Sequence, residues 1–155
     1  MGLAPYGDAE SEETKRFVSI IKEKLIQIYS DGSIWMNQDY FTYSYALKMC
    51  SPKKWEKLFG IAKRQEESAF TQQHCNLALA IQQVTEEIVL KLAAEAKKVS
   101  GCKSLCLSGG VALNCVANGK LLKAKLFDQI YIQPASGDAG GALGAALAVQ
   151  YHYFE

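Results

Sequence analysis

The sequence predicts an α/β fold, and the evidence is clearest in residues 101–155. Two strand–loop–helix units follow one another there: the predicted strands are Ser104–Leu107 and Gln129–Gln133, and the predicted helices are Val111–Ala124 and Ala139–Tyr151. Repetition of this order is typical of parallel strands in an α/β domain. A helical pattern of about 30 residues precedes both units, long enough to cross the face of a sheet.

Residues 1–67 are predicted to form a helix, a hairpin and a short second helix. The opening Met1–Gly7 contains proline and two glycines and is expected to be irregular. Apolar residues at three- and four-residue steps predict a helix over Glu10–Tyr29. Alternating, aromatic-rich stretches predict a β-hairpin formed by Ser33–Met36 and Tyr40–Tyr45. Pro52–Phe59 is predicted to be a short amphipathic helix with proline in its first turn.

Residues 68–155 begin with the longest predicted helix, Ser68–Val99, which Gly101 would close as a C-terminal cap. The two strand–loop–helix units follow it. We expect residues 1–155 to form one domain, because a chain of this length can bury enough surface for a single core.

Each glycine-containing loop lies where a predicted strand ends and a helix begins. The first loop is Ser108-Gly109-Gly110, and the second runs from Pro134 to Asp138 and continues into Gly140-Gly141. The first turn of a helix presents N–H groups to a ligand, and glycine lets phosphate approach them. Neither loop has the spacing of a Walker A or dinucleotide motif. The spacing alone leaves a phosphate cradle and a tight structural turn equally open.

Three polar residues near these loops have alternative interpretations. Asp138 is the only acidic residue between Asp128 and Glu155. It could cap a helix or bind a metal or a substrate hydroxyl, and both readings stay open. Asn114 and Asn118 lie one helical turn apart, where ordinary exposed helix positions are the simpler interpretation.

Composition excludes several functional classes. Seventeen Lys+Arg against sixteen Asp+Glu give a net charge of +1, and only Arg16 and Arg64 are arginines, so we do not expect a DNA-binding protein. The sequence has no apolar run of the roughly 18 residues that a membrane helix needs, nor a secretory signal pattern. The expected location is the cytoplasm, without a membrane partner.

The five cysteines are expected to be buried free thiols in a reducing compartment. They are odd in number and contain no CxxC pair. A metal site built from Cys102, Cys106 and His74 has no spacing that supports a known geometry.

Several sequence blocks together resemble a known enzyme family. Leu105–Asn114, LCLSGGVALN, resembles the adenosine motif of the actin/sugar-kinase/Hsp70 superfamily. With Asn118-Gly119-Lys120 and Phe127–Leu147, FDQIYIQPASGDAGGALGAAL, it resembles the NodU/CmcH family of O-carbamoyltransferases. Further blocks resemble that family in the same order along the chain: Met1–Gly7, Tyr40-Phe41, Leu58-Phe59-Gly60 and His74–Gln82.

The resemblance implies a fold and an activity. The fold would be an actin/sugar-kinase/Hsp70-like (ribonuclease H-like) subdomain, with a mixed sheet and flanking helices, forming the C-terminal half of the carbamoyltransferase domain. In such enzymes a separate domain makes carbamoyl-adenylate from carbamoyl phosphate and ATP. The domain resembling this chain, itself similar to tRNA threonylcarbamoyl-adenosine synthase, moves the carbamoyl group to a hydroxyl of a sugar or antibiotic-like acceptor.

The resemblance also implies roles for individual residues. Ser108, Gly109, Gly110 and Asn114 would face the adenylate. Gly137, Gly140 and Gly141 would line its phosphate, and Asp138 would bind the family's divalent metal, iron or alternatively Mg²⁺.

Two departures from the family pattern shape the functional expectation. The sequence has no HxxxH motif to supply the other metal ligands, and the adenylate-forming domain that the resemblance implies would lie downstream of Glu155. We therefore expect an internal fragment that is inactive alone and that works with flanking domains. The alternatives are a nucleotide-binding piece of a related kinase or tRNA-modifying enzyme, and a binding module without catalysis.

Overall fold

The structure is a computed structural model that describes residues 2–154 of the chain. It divides into two compact units, residues 1–91 and residues 92–155, and each is described by itself. The prediction of one domain stays a prediction.

The first unit contains two short helices, a hairpin and most of a long helix. Its regular elements are α1 Glu12–Ile20, β1 Ile26–Ile28, β2 Ile34–Met36, α2 Pro52–Phe59 and α3 Gln72–Ser100, which continues into the second unit. A turn of π-helix, Ile21–Leu25, joins α1 to β1, and 3₁₀ turns cover Ala4–Tyr6 and Gln38–Tyr40. The buried side chains of the core come from α1, the π-turn, α2 and α3: Phe17, Ile21, Leu25, Phe59, Ala80 and Val84.

The opening segment is held against α3 by a polar network. Asp8 N–H donates to Asn76 Oδ1 over 2.9 Å, and Asn76 Nδ2 donates to Glu13 Oε2 over 2.8 Å. Gly7 lies so close to α3 that a Cβ there would be 2.6 Å from Leu79 Cβ and 2.7 Å from the Cys75 carbonyl oxygen. Gly7 is therefore required by close packing.

The predicted helix Glu10–Tyr29 is too long, since α1 ends at Ile20 and Ile26–Ile28 form a strand instead. The β-branched residues of Ile-Gln-Ile suit a strand, and Asn37 satisfies the carbonyls at the helix end. Its N–H donates to Leu25 O over 2.8 Å, and its Nδ2 donates to Lys24 O over 3.0 Å.

The predicted hairpin is right in one strand and wrong in the other. β2 pairs antiparallel with β1, with Ile28 opposite Ile34, whereas Tyr40–Tyr45 is not a strand. Only one bridge, between Phe41 and Cys50, forms in this stretch. Thr42 turns the chain there, because its N–H donates to Met49 O and its hydroxyl donates to Lys48 O.

The short and long helices match the sequence closely. The predicted helix Pro52–Phe59 is confirmed, and Gly60 ends it with a left-handed backbone at φ +73°. The long predicted helix is also confirmed, shifted to Gln72–Ser100, and Gly101 N–H donates to Lys97 O at its end.

The second unit holds the two predicted strand–loop–helix units. Its elements are β3 Ser104–Leu107, α4 Cys115–Lys123, β4 Gln129–Ile132 and α5 Gly140–Tyr153, with a 3₁₀ turn at Gly110–Leu113. β3 and β4 are parallel, with Ser104 opposite Gln129 and Leu107 opposite Ile132, as predicted.

The α/β class is thus confirmed in coarse form, as small sheets with flanking helices. Within residues 2–154 the strands form two separate two-stranded sheets, one antiparallel and one parallel, rather than one mixed sheet. None of the helices in this part of the chain is long and apolar enough to cross a membrane.

All five cysteines are free, but the expected burial is mostly wrong. Cys75 is buried and Cys50 is half-buried, whereas Cys102, Cys106 and Cys115 are exposed. Cys106 is exposed because alternate residues of β3 point to opposite faces of a sheet with only two strands.

Candidate functional site

The parallel register of β3 and β4 places both glycine loops at one edge of their sheet. Leu107 and Ile132 are paired at the ends of the two strands, and Gln133 N–H extends the ladder by donating to Leu107 O. Beyond this pair, β3 continues into the loop at Ser108 and β4 continues into the loop at Pro134. The carboxyl ends of parallel strands are where ligands bind in open α/β sheets.

A backbone hydrogen bond joins the two loops directly. Gly109 N–H donates to the Ser136 carbonyl oxygen over 2.8 Å. Ser136 is only 5% exposed, and its own hydroxyl donates to the Gln133 carbonyl oxygen. The site residues predicted from the sequence did not include Ser136. Its position in the Pro-Ala-Ser-Gly-Asp turn was the only sequence signal that pointed to it.

Gly109 is the residue of the first loop whose backbone needs glycine. Its φ of +98° and ψ of 161° lie in a region that is essentially restricted to glycine. A Cβ at Gly110, in contrast, would meet nothing within 4 Å, and Gly110 has no positive φ. Ser108, Gly109 and Gly110 are all exposed, so the first loop is open to a ligand.

The second loop turns tightly into α5. Gly140 N–H donates to Gly137 O over 3.0 Å, and Gly141 N–H donates to Asp138 O over 3.1 Å. The first two residues of α5 therefore use their N–H groups inside the loop. A Cβ at Gly140 would lie 2.5 Å from the Ala135 carbonyl oxygen, which makes Gly140 a packing glycine, whereas Gly141 faces open space.

Asp138 is exposed and does not cap α5. The residue at the N-cap position is Ala139, and no side chain accepts a hydrogen bond there. The structural interpretation of Asp138 as a helix cap is therefore not supported. Asp138 lies two residues before the first residue of α5, and the positive end of a helix favours negative charge.

Asn114 has a structural role that the sequence analysis did not assign. It is 3% exposed, and its Oδ1 accepts from Ala117 N–H over 3.1 Å as the N-cap of α4. The helix predicted from Val111 begins only at Cys115, because a 3₁₀ turn precedes this cap. Asn118 is half-buried and donates to the Ala112 carbonyl oxygen over 2.7 Å, so the expectation of two exposed asparagines is wrong.

The residues present do not by themselves form a metal site. Among residues 2–154, no three His, Cys, Asp or Glu side chains come together as a possible metal cluster. Asp138 could supply one carboxylate ligand, whereas an iron site of the common facial type needs three protein ligands.

Taken together, these features define a protein with two linked glycine loops at the carboxyl edge of a parallel strand pair. Comparison with known proteins identifies its family. Residues 1–147 match the family described as Carbamoyltransferase N-terminus. The chain belongs to this carbamoyltransferase family.

Curated relatives cover nearly the whole chain. It is 46% identical over 155 residues to an uncharacterized protein of Synechocystis sp., covering 100% of this chain and 24% of the relative. It is 40% identical over 149 residues to nodulation protein NolO of Bradyrhizobium diazoefficiens, covering 96% of this chain and 24% of the relative. Identity to nodulation protein NolNO of Sinorhizobium fredii is 37% over 147 residues, covering 95% of this chain and 19% of the relative. The chain therefore spans about a quarter of the length of such relatives.

Proposed function

We propose that this chain is the part of an ATP-dependent O-carbamoyltransferase that presents the nucleotide- and phosphate-facing loops. The observation that carries the proposal is the Gly109–Ser136 hydrogen bond, which joins two exposed glycine loops at the carboxyl edge of parallel strands. Membership of the carbamoyltransferase family supports the reaction class.

The proposed reaction transfers a carbamoyl group from carbamoyl-adenylate to a hydroxyl of a sugar or antibiotic-like acceptor. The acceptor oxygen forms a bond to the carbamoyl carbon, and the bond from that carbon to the adenylate phosphate oxygen breaks. The electron pair of the broken bond leaves on AMP, and the hydroxyl proton passes to a base or to water. ATP and carbamoyl phosphate are the sources of carbamoyl-adenylate, made elsewhere in the longer protein, in the cytoplasm.

The loops would bind the adenylate in two different ways. Ser108, Gly109 and Gly110 would leave room for the nucleotide beside the first loop, since all three are exposed. Gly137, Gly140 and Gly141 would let the phosphate approach the positive end of α5. Because Gly140 and Gly141 donate within their own loop, their contribution is the absence of side chains rather than N–H donors.

Asn114 and Asp138 would act at the borders of this site. Asn114 fixes the start of α4, and we retain its contact with the adenylate as a proposal. Asp138 would provide one ligand of a divalent metal, iron or Mg²⁺, whose remaining ligands come from other parts of the longer enzyme.

The test is a carbamoyl-transfer assay with the Asp138→Asn variant of a longer polypeptide that contains this chain. The expected result is loss of most of the transfer activity with the melting midpoint unchanged, because Asp138 caps no helix. Asp128→Asn, at the exposed acid that precedes β4, is the matched control and should keep activity. Full transfer activity in Asp138→Asn would refute the role given to this carboxylate.

A further inference from the structure

The helix α5 is apolar around its whole circumference, yet none of its residues is buried. Between Gly140 and Tyr153 there is no Asp, Glu, Lys or Arg. Leu143 is 43% exposed and Leu147 is 45% exposed. Helices that are apolar on every side are normally interior helices, so this exposure needs a covering partner.

The spacing of small and large residues gives α5 two different apolar faces. Gly140, Gly144 and Ala148 recur at four-residue steps along one face, and Leu143 and Leu147 do so along another. Small residues permit a close approach of a neighbouring backbone, and leucines fill space between layers. A surface helix needs only one such face.

The strand pair β3–β4 independently indicates missing neighbours. Parallel sheets occur almost only with both faces covered, and two strands alone are marginal. Tyr131, on β4, is 60% exposed, and the described part of the chain pairs β3 and β4 only with each other.

We infer that α5 is an interior helix of a larger fold, covered by the remaining part of a longer carbamoyltransferase polypeptide that also extends the β3–β4 sheet. The first two curated relatives are about four times as long as this chain, because the chain covers 24% of each. The partner is therefore an apolar layer of the same polypeptide, with strands to pair and side chains to cover Leu143 and Leu147.

Two other occupants fit α5 less well. Its 14 residues span about 21 Å, less than the ~30 Å of a bilayer core, and it lacks the basic face of a helix that lies on a membrane surface. A second copy of the chain is the remaining alternative, and the experiment separates it from the proposed partner.

Leu122 on α4 provides a matched control for Leu147. It is 65% exposed, more than Leu147, but it lies in a segment with Lys120, Lys123 and Lys125. We expect Leu122 to be an ordinary surface leucine in any longer protein. The two leucines should therefore respond differently to the same substitution.

The experiment compares Leu147→Asp and Leu122→Asp in a longer polypeptide containing this chain and in the 155-residue chain. Leu147→Asp should lower the melting midpoint of the longer polypeptide by roughly 5–10 °C, because it buries an unpaired charge, and should not lower that of the 155-residue chain. Leu122→Asp should change neither. This outcome depends on packing alone and is independent of any carbamoyl-transfer assay.

Two results would overturn the inference. One is an unchanged melting midpoint of the longer polypeptide carrying Leu147→Asp. The other is a stable dimer of the wild-type 155-residue chain, measured by sedimentation, if the Leu147→Asp substitution dissociates that dimer. A second copy of the chain would then be the partner that covers α5. If Leu147→Asp prevents the longer polypeptide from folding, the inference is tested instead by amide hydrogen exchange. This experiment compares the wild-type longer polypeptide with the wild-type 155-residue chain. The amides of α5 should exchange roughly 100-fold more slowly in the longer polypeptide, and equal rates would refute the inference.

Discussion

The backbone N–H of Gly109 donates to the carbonyl oxygen of Ser136 over 2.8 Å, across 27 residues of sequence. This single bond links the loop that follows β3 to the loop that follows β4. It holds two exposed, glycine-rich segments at the same edge of the sheet, where the proposed nucleotide site lies.

Gly109→Ala should destabilise the chain by about 1–3 kcal/mol, because a residue with a Cβ adopts the φ of +98° at this position only with strain. Gly110→Ala should change the free energy of unfolding much less, since a Cβ there meets nothing within 4 Å. Urea denaturation of both variants measures the difference. Equal stability of the two variants would show that the glycine-specific backbone conformation at Gly109 is not required.

Gly7→Ala should also be destabilising, here for a steric reason. A Cβ at Gly7 would lie 2.6 Å from Leu79 Cβ, so the opening segment would have to move away from α3 at a cost of roughly 1–3 kcal/mol. The control is Gly2→Ala, where the added Cβ meets nothing within 4 Å. Thermal melting of the two variants tests the packing, which would be wrong if Gly7→Ala melted like the wild type.

Glu87 should contribute stability that depends on pH. Hydrogen bonds from Lys22, at 2.9 Å, and then from Lys91 lower the pKa of the Glu87 carboxyl below its ordinary value of 4.5. The stabilisation is therefore complete above the unfolded value of 4.5 and is lost as the pH falls through the lower folded value.

At neutral pH, Glu87→Gln should cost about 0.5–1 kcal/mol, as expected for a partly exposed pair. The difference from wild type should disappear well below pH 4.5, and Glu66→Gln, at an exposed loop position, should show little effect at any pH. Denaturation at several pH values measures both. A difference for Glu87→Gln that grows in acid would contradict the ion pairs.

The second unit could be predicted from sequence because its local signals agree. Ser104–Leu107 lies between Gly101 and the Gly109-Gly110 pair, and β4 is followed by Pro134, so the ends of both strands are marked. The parallel pairing followed from the helices between and after them. These local signals could not predict the backbone hydrogen bond between Gly109 and Ser136, which lie in different loops.

The hairpin of the first unit was harder to predict, for an identifiable reason. Ile28 fits both the helical stripe of α1 and an alternating strand, so periodicity alone does not separate them. The deciding interactions come from Asn37, which binds the carbonyls of Lys24 and Leu25. Such long-range contacts have no signature in the local sequence.

The capping role of Asn114 could have been found from its residue type. Asparagine is among the preferred N-cap residues, and its Oδ1 accepts from an N–H three positions on, at Ala117. The apolar pattern that begins at Val111 concealed it, because the preceding 3₁₀ turn continues the helical spacing.

Nucleotide binding at the two joined loops is the central claim, and titration calorimetry with AMP tests it most directly. The protein is a longer polypeptide containing this chain, compared as wild type, as Gly110→Val and as the control Gly119→Val. These two glycines are matched, because a Cβ added at either one meets nothing within 4 Å. We predict that Gly110→Val binds AMP at least about 10-fold more weakly with an unchanged melting midpoint, and that Gly119→Val binds normally. Equal AMP affinity of Gly110→Val and wild type would contradict the claim.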